Sequence, residues 1–241
     1  MKGITLKNCR GIGDKIQFTS VPENYYLATG QKLVDVDRCW VFDYNPFVVR
    51  DVDADDVIDP AAVSMPILHF GRTTFTSLAE RNALMFGLIP ARLKHPRLYR
   101  FEDAASSGAT VVHPCGVSQP SFSMDIVEHI RRVYPMTVQV GAKDDPLWFS
   151  VDGRSDNIWD AVTHIARGSI FIGCDSGLSW IAACYPRVWN KKVLMQFAPH
   201  QLDDYLPMRL HSPHTHWHDS NFTYYNRFRF DSGITYSYLK L

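Results

Sequence analysis

This chain lacks the usual marks of a secreted, membrane-spanning or highly charged protein. Its five cysteines, Cys9, Cys39, Cys115, Cys174 and Cys184, are scattered, odd in number and without C-x-x-C spacing. They fit a reduced, cytoplasmic thiol set better than a disulfide framework or a zinc site. No run reaches the roughly 18 apolar residues that a spanning helix requires. The opening MKGITLKNCR passes directly into a strand-like run, without the apolar segment of a signal peptide. Neither sign of charge is in excess, since 25 Lys plus Arg balance 25 Asp plus Glu. Overall charge therefore gives no reason to expect nucleic acid or an anionic membrane as partner, although a local basic patch stays open. No G-x-S-x-G supports a serine hydrolase, and no G-x-x-x-x-G-K-S/T supports a P-loop. Internal repeats and low-complexity tracts are also missing.

The 241 residues, 46% apolar and 21% charged, suit one large domain or two compact ones. The second half alternates strand and helix: 109–113 (ATVVH) reads as a strand, and 123–134 as a helix with Ser123 as cap and Val127, Ile130 and Val133 on one face. Strand 136–140 follows, then a helix over 156–167 with Ile158, Val162 and Ile165 on one face and Gly168 as its stop. Strand 170–172, a helix after Gly177 and strand 193–197 complete the series. Strands separated by helices imply parallel βαβ units in a doubly wound sheet. The first half is less regular. Strands are expected at 3–6, 34–36, 39–42 and 62–70, helices between Gly11 and Thr29, interrupted by Pro22, and at 74–86. The polar stretch 102–108 is the candidate linker, giving α/β lobes at 1–103 and 109–210, with the aromatic segment 211–241 packing back on the lobes.

The most telling passage is 168–184, GSIFIGCDSGLSWIAAC. It reads as a buried strand, a polar turn and a helix beginning at that turn. Ser176 and Gly177 would expose backbone N–H groups at the positive end of the helix dipole, where a phosphate binds. The ligand this suggests is a nucleotide diphosphate. Gly11-Ile12-Gly13-Asp14 follows the first strand, but Ile16 stands where G-x-G-x-x-G needs its third glycine. The glycines permit close backbone approach, and Asp14, at the rim where open α/β sheets bind ligands, could take a proton from a hydroxyl. A plain helix cap explains the same residues. His113-Pro114-Cys115-Gly116-Val117-Ser118 ends another strand, where Gly116 and Ser118 could donate to a phosphate or form an ordinary turn. In Gly141-Ala142-Lys143-Asp144-Asp145 an acid could hold a ribose and Lys143 a phosphate, or the loop could be merely solvated. Asp51–Asp56 imitates a calcium loop but lacks its glycine and has Ala62 where the closing Glu belongs, so it reads as a solvated acidic loop. His211, His214, His216 and His218 could ligate a transition metal, yet no acid or cysteine framework completes the spacing.

Three segments in this order resemble the heptosyltransferase-like glycosyltransferases (family 9). GIGDKIQFTSVPENYYLATG is similar to their opening G-x-G-D turn and Pro-containing helix, and VVHPCGVSQP to the first strand and turn of their C-terminal lobe. IARGSIFIGCDSGLSWIAAC resembles their D-S/T-G-x-x-H-x-A-A motif. The resemblance implies a GT-B fold of two Rossmann-like lobes, a nucleotide-diphosphate sugar as donor in the C-terminal lobe, inversion at the anomeric carbon and no metal or other cofactor. Asp14 would be the general base, with Gly11, Gly13 and Lys15 on the acceptor side. Asp175, Ser176 and Gly177 would hold the donor diphosphate, with His113, Gly116, Ser118, Gly141 and Lys143 around it and Asp144 or Asp145 near the ribose. Two positions depart from the pattern. Trp180 replaces the motif's His and could stack instead, and SQPSFSMD lacks the expected basic residue, for which Lys143, Arg154 or Lys192 could compensate.

The expectation is thus a cytoplasmic, metal-independent glycosyltransferase acting on an acceptor hydroxyl in a glycan, protein, small molecule or hydroxylated DNA base. The alternative from another class is a non-catalytic nucleotide-sugar-binding module.

Overall fold

The computed structural model describes residues 1–9, 11–60, 84–88, 96–101, 105–116, 121–122, 124–174, 176–185, 190–195 and 222–226. The chain forms two compact units, one holding the described residues up to 101 and the other those from 105 onward. The strand expected at 62–70, most of the helix expected at 74–86 and the histidines between 211 and 218 lie outside the described residues.

The first unit is built on a four-stranded parallel sheet in the order β3-β2-β1-β4, with β1 at Lys2–Ile4, β2 at Leu33–Asp35, β3 at Val48–Val49 and β4 at Asp56–Ile58. Successive strands run one way from β1, and β4 lies on its other side, so the strand order reverses between β1 and β4. Two helices follow β1: α1 at Ile12–Gln17 and α2 at Ser20–Thr29. The interruption expected at Pro22 falls earlier, at Phe18–Thr19. Pro22 has no N–H to give the Phe18 carbonyl and its ring would crowd that oxygen. The carbonyl instead takes the Val21 amide at 3.0 Å, and Pro22 sits in the first turn of α2, where no N–H is required.

Residues 39–42, expected as a strand, form a 3₁₀ turn at Trp40–Phe42. Arg38 adopts φ +51°, which reverses the chain after β2, and the Cys39 amide donates to Asp35 Oδ1 at 3.1 Å, closing the turn. Asp35, buried at the end of β2, also accepts from Arg50 Nε at 2.9 Å. Burial pushes its carboxyl above the ordinary range against those two bonds. Strands β3 and β4 go beyond the sequence expectation, being two and three residues long. The acidic stretch 51–56 exposes its acids, as expected of a solvated loop, and carries surface ion pairs: Asp51 meets Arg38, Asp55 takes the N-terminal ammonium, and Asp56, the first residue of β4, lies 3.9 Å from Lys2.

The second unit carries a six-stranded parallel sheet in the order β10-β9-β8-β5-β6-β7. Its strands are β5 at Thr110–His113, β6 at Thr137–Gln139, β7 at Val151–Asp152, β8 at Ile170–Cys174, β9 at Asn190–Met195 and β10 at Phe222–Asn226. Helices α3 at Met124–Val133, α4 at Ile158–Arg167 and α5 at Gly177–Ala183 occupy the connections. From β5 the chain moves to β6 on one side, and from β8 to β9 on the other. The strand order therefore reverses between β5 and β8, the place where open α/β sheets form a ligand crevice at their carboxyl ends. Strand β10 is a departure from the irregular C-terminal segment expected: it pairs in parallel with β9, Tyr224 opposite Val193.

Alternation along the strands divides the core. Val112 and Ile172 pack with Ile126, Val127 and Ile130 of α3 and with Phe122 and Phe149. Val111 and Phe171 point to the opposite face, and Val162 and Ile165 of α4 are fully buried. Each such aliphatic side chain contributes on the order of 1.5–3 kcal/mol by leaving water. Val133, expected on the buried face of α3, is 49% exposed, because the buried stripe runs through Ile126, Val127 and Ile130 to the half-buried Tyr134. Gly168 ends α4 as expected, but its φ is −71° and not left-handed. It is glycine for space, since a Cβ there would stand 2.8 Å from Val111 Cγ2.

Candidate functional site

The sequence places chemistry-bearing residues after β5, β6 and β8, and the fold brings these three turns together. His113, the last residue of β5, lies opposite Gly173 of β8. Its ring is buried and its Nδ1 stands 2.9 Å from Ser176 Oγ and 3.5 Å from Cys174 Sγ. The contact thus bridges the point where the strand order reverses. Burial pushes the imidazole down to about 4, so it is neutral at physiological pH.

Ser176 is the residue before α5, in an extended conformation (φ −153°, ψ 176°), and its hydroxyl makes no cap to the helix. It turns to His113 instead. The far side of the same turn is tied by Ser179 Oγ, which donates to the Cys174 carbonyl at 2.6 Å. Gly177 opens the helix. Asp175 and Ser118 lie outside the described residues, and Gly116 is half-buried at the end of the β5 turn. Trp180, expected to stack on a ligand, retains 6% of its surface and packs within the unit. Beside His113, burial and the nearby Asp145 push the Cys115 thiol up, so it remains protonated.

Gly141 follows β6 with φ +148°, a conformation that favours glycine, and a Cβ there would collide with the Asp145 carboxylate. The same carboxylate accepts the Ala142 amide at 2.9 Å and so closes its own turn. Of the two acids proposed for a ribose, this leaves Asp144 as the exposed one. Lys143 is not a free cation: its Nζ lies 3.1 Å from Asp152 Oδ2, and Arg154 Nε donates to the other oxygen at 2.9 Å. Arg154 and then Lys143 hold the Asp152 carboxyl well below the usual carboxylate range. Asp152 and Arg154 are two residues apart, but Lys143 stands nine residues before Asp152, so its place in this cluster, where Arg154 also donates to the Asp145 carbonyl, is not read from a local motif.

In the first unit Gly11 precedes α1, while Gly13, Asp14 and Lys15 lie inside its first turns. The glycine turn expected over 11–14 is therefore shorter, and Asp14 is a helical residue at the exposed amino end. A Cβ on Gly11 would lie 2.9 Å from Asp14 Oδ2, so the carboxylate folds back over the glycine. The loop leading to α1 is anchored by Asp37, which sequence reading missed. Its Oδ2 accepts from Thr5 Oγ1 at 2.5 Å, the Leu6 amide at 2.7 Å and the Lys7 amide at 2.9 Å. Asn8 Nδ2 donates to Asp59 Oδ2 at 2.5 Å, tying the same loop to the end of β4. An acid two residues past β2 is the signal that marks Asp37.

Among the described residues no three His, Cys, Asp or Glu side chains gather as a metal site requires, and no helix is long and apolar enough to cross a membrane.

No protein-family model and no curated protein matches the sequence. Solved structures do. The dodecameric iron-containing heptosyltransferase TibC of enterotoxigenic E. coli, in complex with ADP-D-beta-D-heptose, matches with a TM-score of 0.59 at 14% identity, over 80% of this chain and 57% of that one. The chain thus spans little more than half the length of TibC. A family 9 glycosyl transferase from Veillonella parvula matches at 0.58 and 12% identity, over 82% of this chain and 80% of the other. E. coli heptosyltransferase WaaC with ADP matches at 0.58 and 12% identity, over 83% and 88%. This chain, two units each built on a parallel sheet in an α/β arrangement, has the fold of the heptosyltransferases and of a family 9 glycosyltransferase.

Proposed function

We propose that the chain is an inverting glycosyltransferase that uses a nucleotide-diphosphate sugar. The observation that carries this reading is the convergence of the β5, β6 and β8 turns at the strand-order reversal of the second unit, centred on the 2.9 Å His113–Ser176 contact. It lies on a fold shared with enzymes solved with ADP or ADP-D-beta-D-heptose. In this reading the turn at 175–177 receives the diphosphate through backbone donors and the helix dipole, Gly141 allows close approach and Asp144 meets the ribose. Gly116, Ser118 and Lys143 complete the donor surroundings.

Asp14 is the general base. The acceptor oxygen attacks the anomeric carbon as its proton passes to the Asp14 carboxylate, the bond from that carbon to the diphosphate oxygen breaks, and the pair of electrons leaves with the diphosphate. Attack from the face opposite the leaving group inverts the centre. Fixed donors stabilise the charge that builds on the leaving oxygen, and the scheme has no metal step. Gly11, Gly13 and Lys15 border the acceptor, a hydroxyl of a glycan, protein, small molecule or modified DNA base.

Asp14→Asn tests this. Transfer is expected to fall by about 10²–10⁴-fold while affinity for the donor stays within about twofold. An equal loss of donor affinity removes Asp14 from the role of base. The buried Trp180 in place of the motif's His favours a second reading, a nucleotide-sugar-binding module without turnover. Donor that binds without slow hydrolysis or transfer to any offered hydroxyl would establish that reading instead.

A further inference from the structure

On the buried ring of His113 two side chains converge, one from the end of β8 and one from the turn after it. Ser176 Oγ and Cys174 Sγ both approach its Nδ1, at 2.9 and 3.5 Å. Each carries a hydrogen it can donate. Nδ1 has a single in-plane lone pair and so fills one contact at full strength, the nearer one to the Ser176 hydroxyl. A neutral imidazole has one hydrogen, so an accepting Nδ1 leaves it on Nε2. The ring itself is buried at the end of β5, in the sheet register opposite Gly173.

Resting on the reading of this crevice as a nucleotide-diphosphate site, we propose that His113 is a positioning residue that fixes the Ser176 hydroxyl, and with it the turn after β8, for the diphosphate. Nδ1 accepts the Ser176 hydroxyl hydrogen, which prevents that hydroxyl from folding back onto α5 as an ordinary helix cap would. The serine is thereby kept extended, with its oxygen lone pairs oriented by the ring. Cys174 gives the ring a second, weaker anchor from the strand. Burial keeps the imidazole neutral, so the acceptor is present throughout the physiological range.

The test uses the full chain with ADP, GDP, UDP and CDP as probes, in Ser176→Ala, His113→Leu, His113→Asn and the Ser176→Ala/His113→Leu double variant. The loss of one oriented hydrogen bond is expected to weaken diphosphate binding about tenfold in each single Ala or Leu variant. The double variant is expected to be no weaker than either single one, because both remove the same interaction. His113→Asn, whose Oδ1 can replace Nδ1 as acceptor, is expected to return to within about threefold of wild type. Long-range ¹H–¹⁵N spectra of the unliganded protein supply an independent readout: Nδ1 without hydrogen and Nε2 with it, changing to a mixture in Ser176→Ala. Single effects that add in the double variant, or a wild-type ring with its hydrogen on Nδ1, overturn the positioning role while leaving the donor reading in place. Wild-type protein that binds none of the four diphosphates removes the donor reading, and the positioning role with it, even where the tautomer is as expected.

Discussion

Gly141→Ala is the substitution that most directly tests how the crevice is built. Two separate costs meet at this position. The backbone sits at φ +148°, a conformation that L side chains rarely adopt and that costs on the order of 1–3 kcal/mol. The added methyl also collides with the Asp145 carboxylate. That carboxylate accepts the Ala142 amide at 2.9 Å, a bond worth about 1 kcal/mol. Moving it aside forfeits the bond, so the total is about 2–4 kcal/mol. For a chain of this size each kcal/mol lowers the melting temperature by about 2–4 °C, giving a drop of roughly 5–15 °C, read by calorimetry and checked by urea unfolding. The two costs separate in an Asp145→Ala background: there the collision is gone, and Gly141→Ala should still cost about 1–3 kcal/mol from the backbone alone. A Gly141→Ala protein within about 0.5 kcal/mol of wild type refutes the reasoning. So does complete rescue by Asp145→Ala, which would mean the backbone conformation carries no penalty.

Other consequences are equally direct. Gly168→Ala should cost about 1–3 kcal/mol through overpacking against Val111 Cγ2, and Val111→Ala should recover part of it; a penalty that Val111→Ala leaves unchanged would place its cause in the backbone. The neutral His113, pushed down to about 4 from an ordinary 6.5, makes the unfolded chain bind the extra proton first. Its contribution is therefore intact above pH 6.5 and is lost as pH falls toward 4. At pH 5 the loss is about 2 kcal/mol, so wild type should lose that much more stability between pH 8 and pH 5 than His113→Asn does in denaturant titrations. Equal slopes would contradict the burial of the ring. Asp37→Ala removes an oxygen shared by three donors, so hydrogen exchange at the Leu6 and Lys7 amides should quicken by at least about tenfold. Unchanged protection would show that the loop holds itself.

Much of the second unit was legible because its signals are local. The apolar runs at 110–113 and 170–174, and the apolar stripe of 158–167 ending at Gly168, need only nearest neighbours and the periods of strand and helix to be recognised. The turns that bear chemistry follow from the same rule, since in a parallel sheet every turn after a strand falls on one edge. The first unit was harder. Cys39–Phe42 has strand composition, yet Arg38 in a left-handed conformation and the Asp35 cap on Cys39 make it a turn. A side chain four residues away decided that, not the residues of the segment. Val133 shares the apolar character of Ile130 but falls off the stripe that α3 buries.

By itself, then, the sequence determined the parallel α/β class, the order of turns and the residue types at the crevice, because periodicity and turn chemistry act within a few positions. Tertiary structure alone decided which turns meet. The reversal of strand order between β5 and β8 places His113 against Ser176, 63 residues later in the chain. The pairing of β7 with β6 likewise sets Asp152 between Lys143 and Arg154. Pairings of that kind depend on which strands become neighbours, a result of burying two faces of a sheet at once, and no local pattern records it.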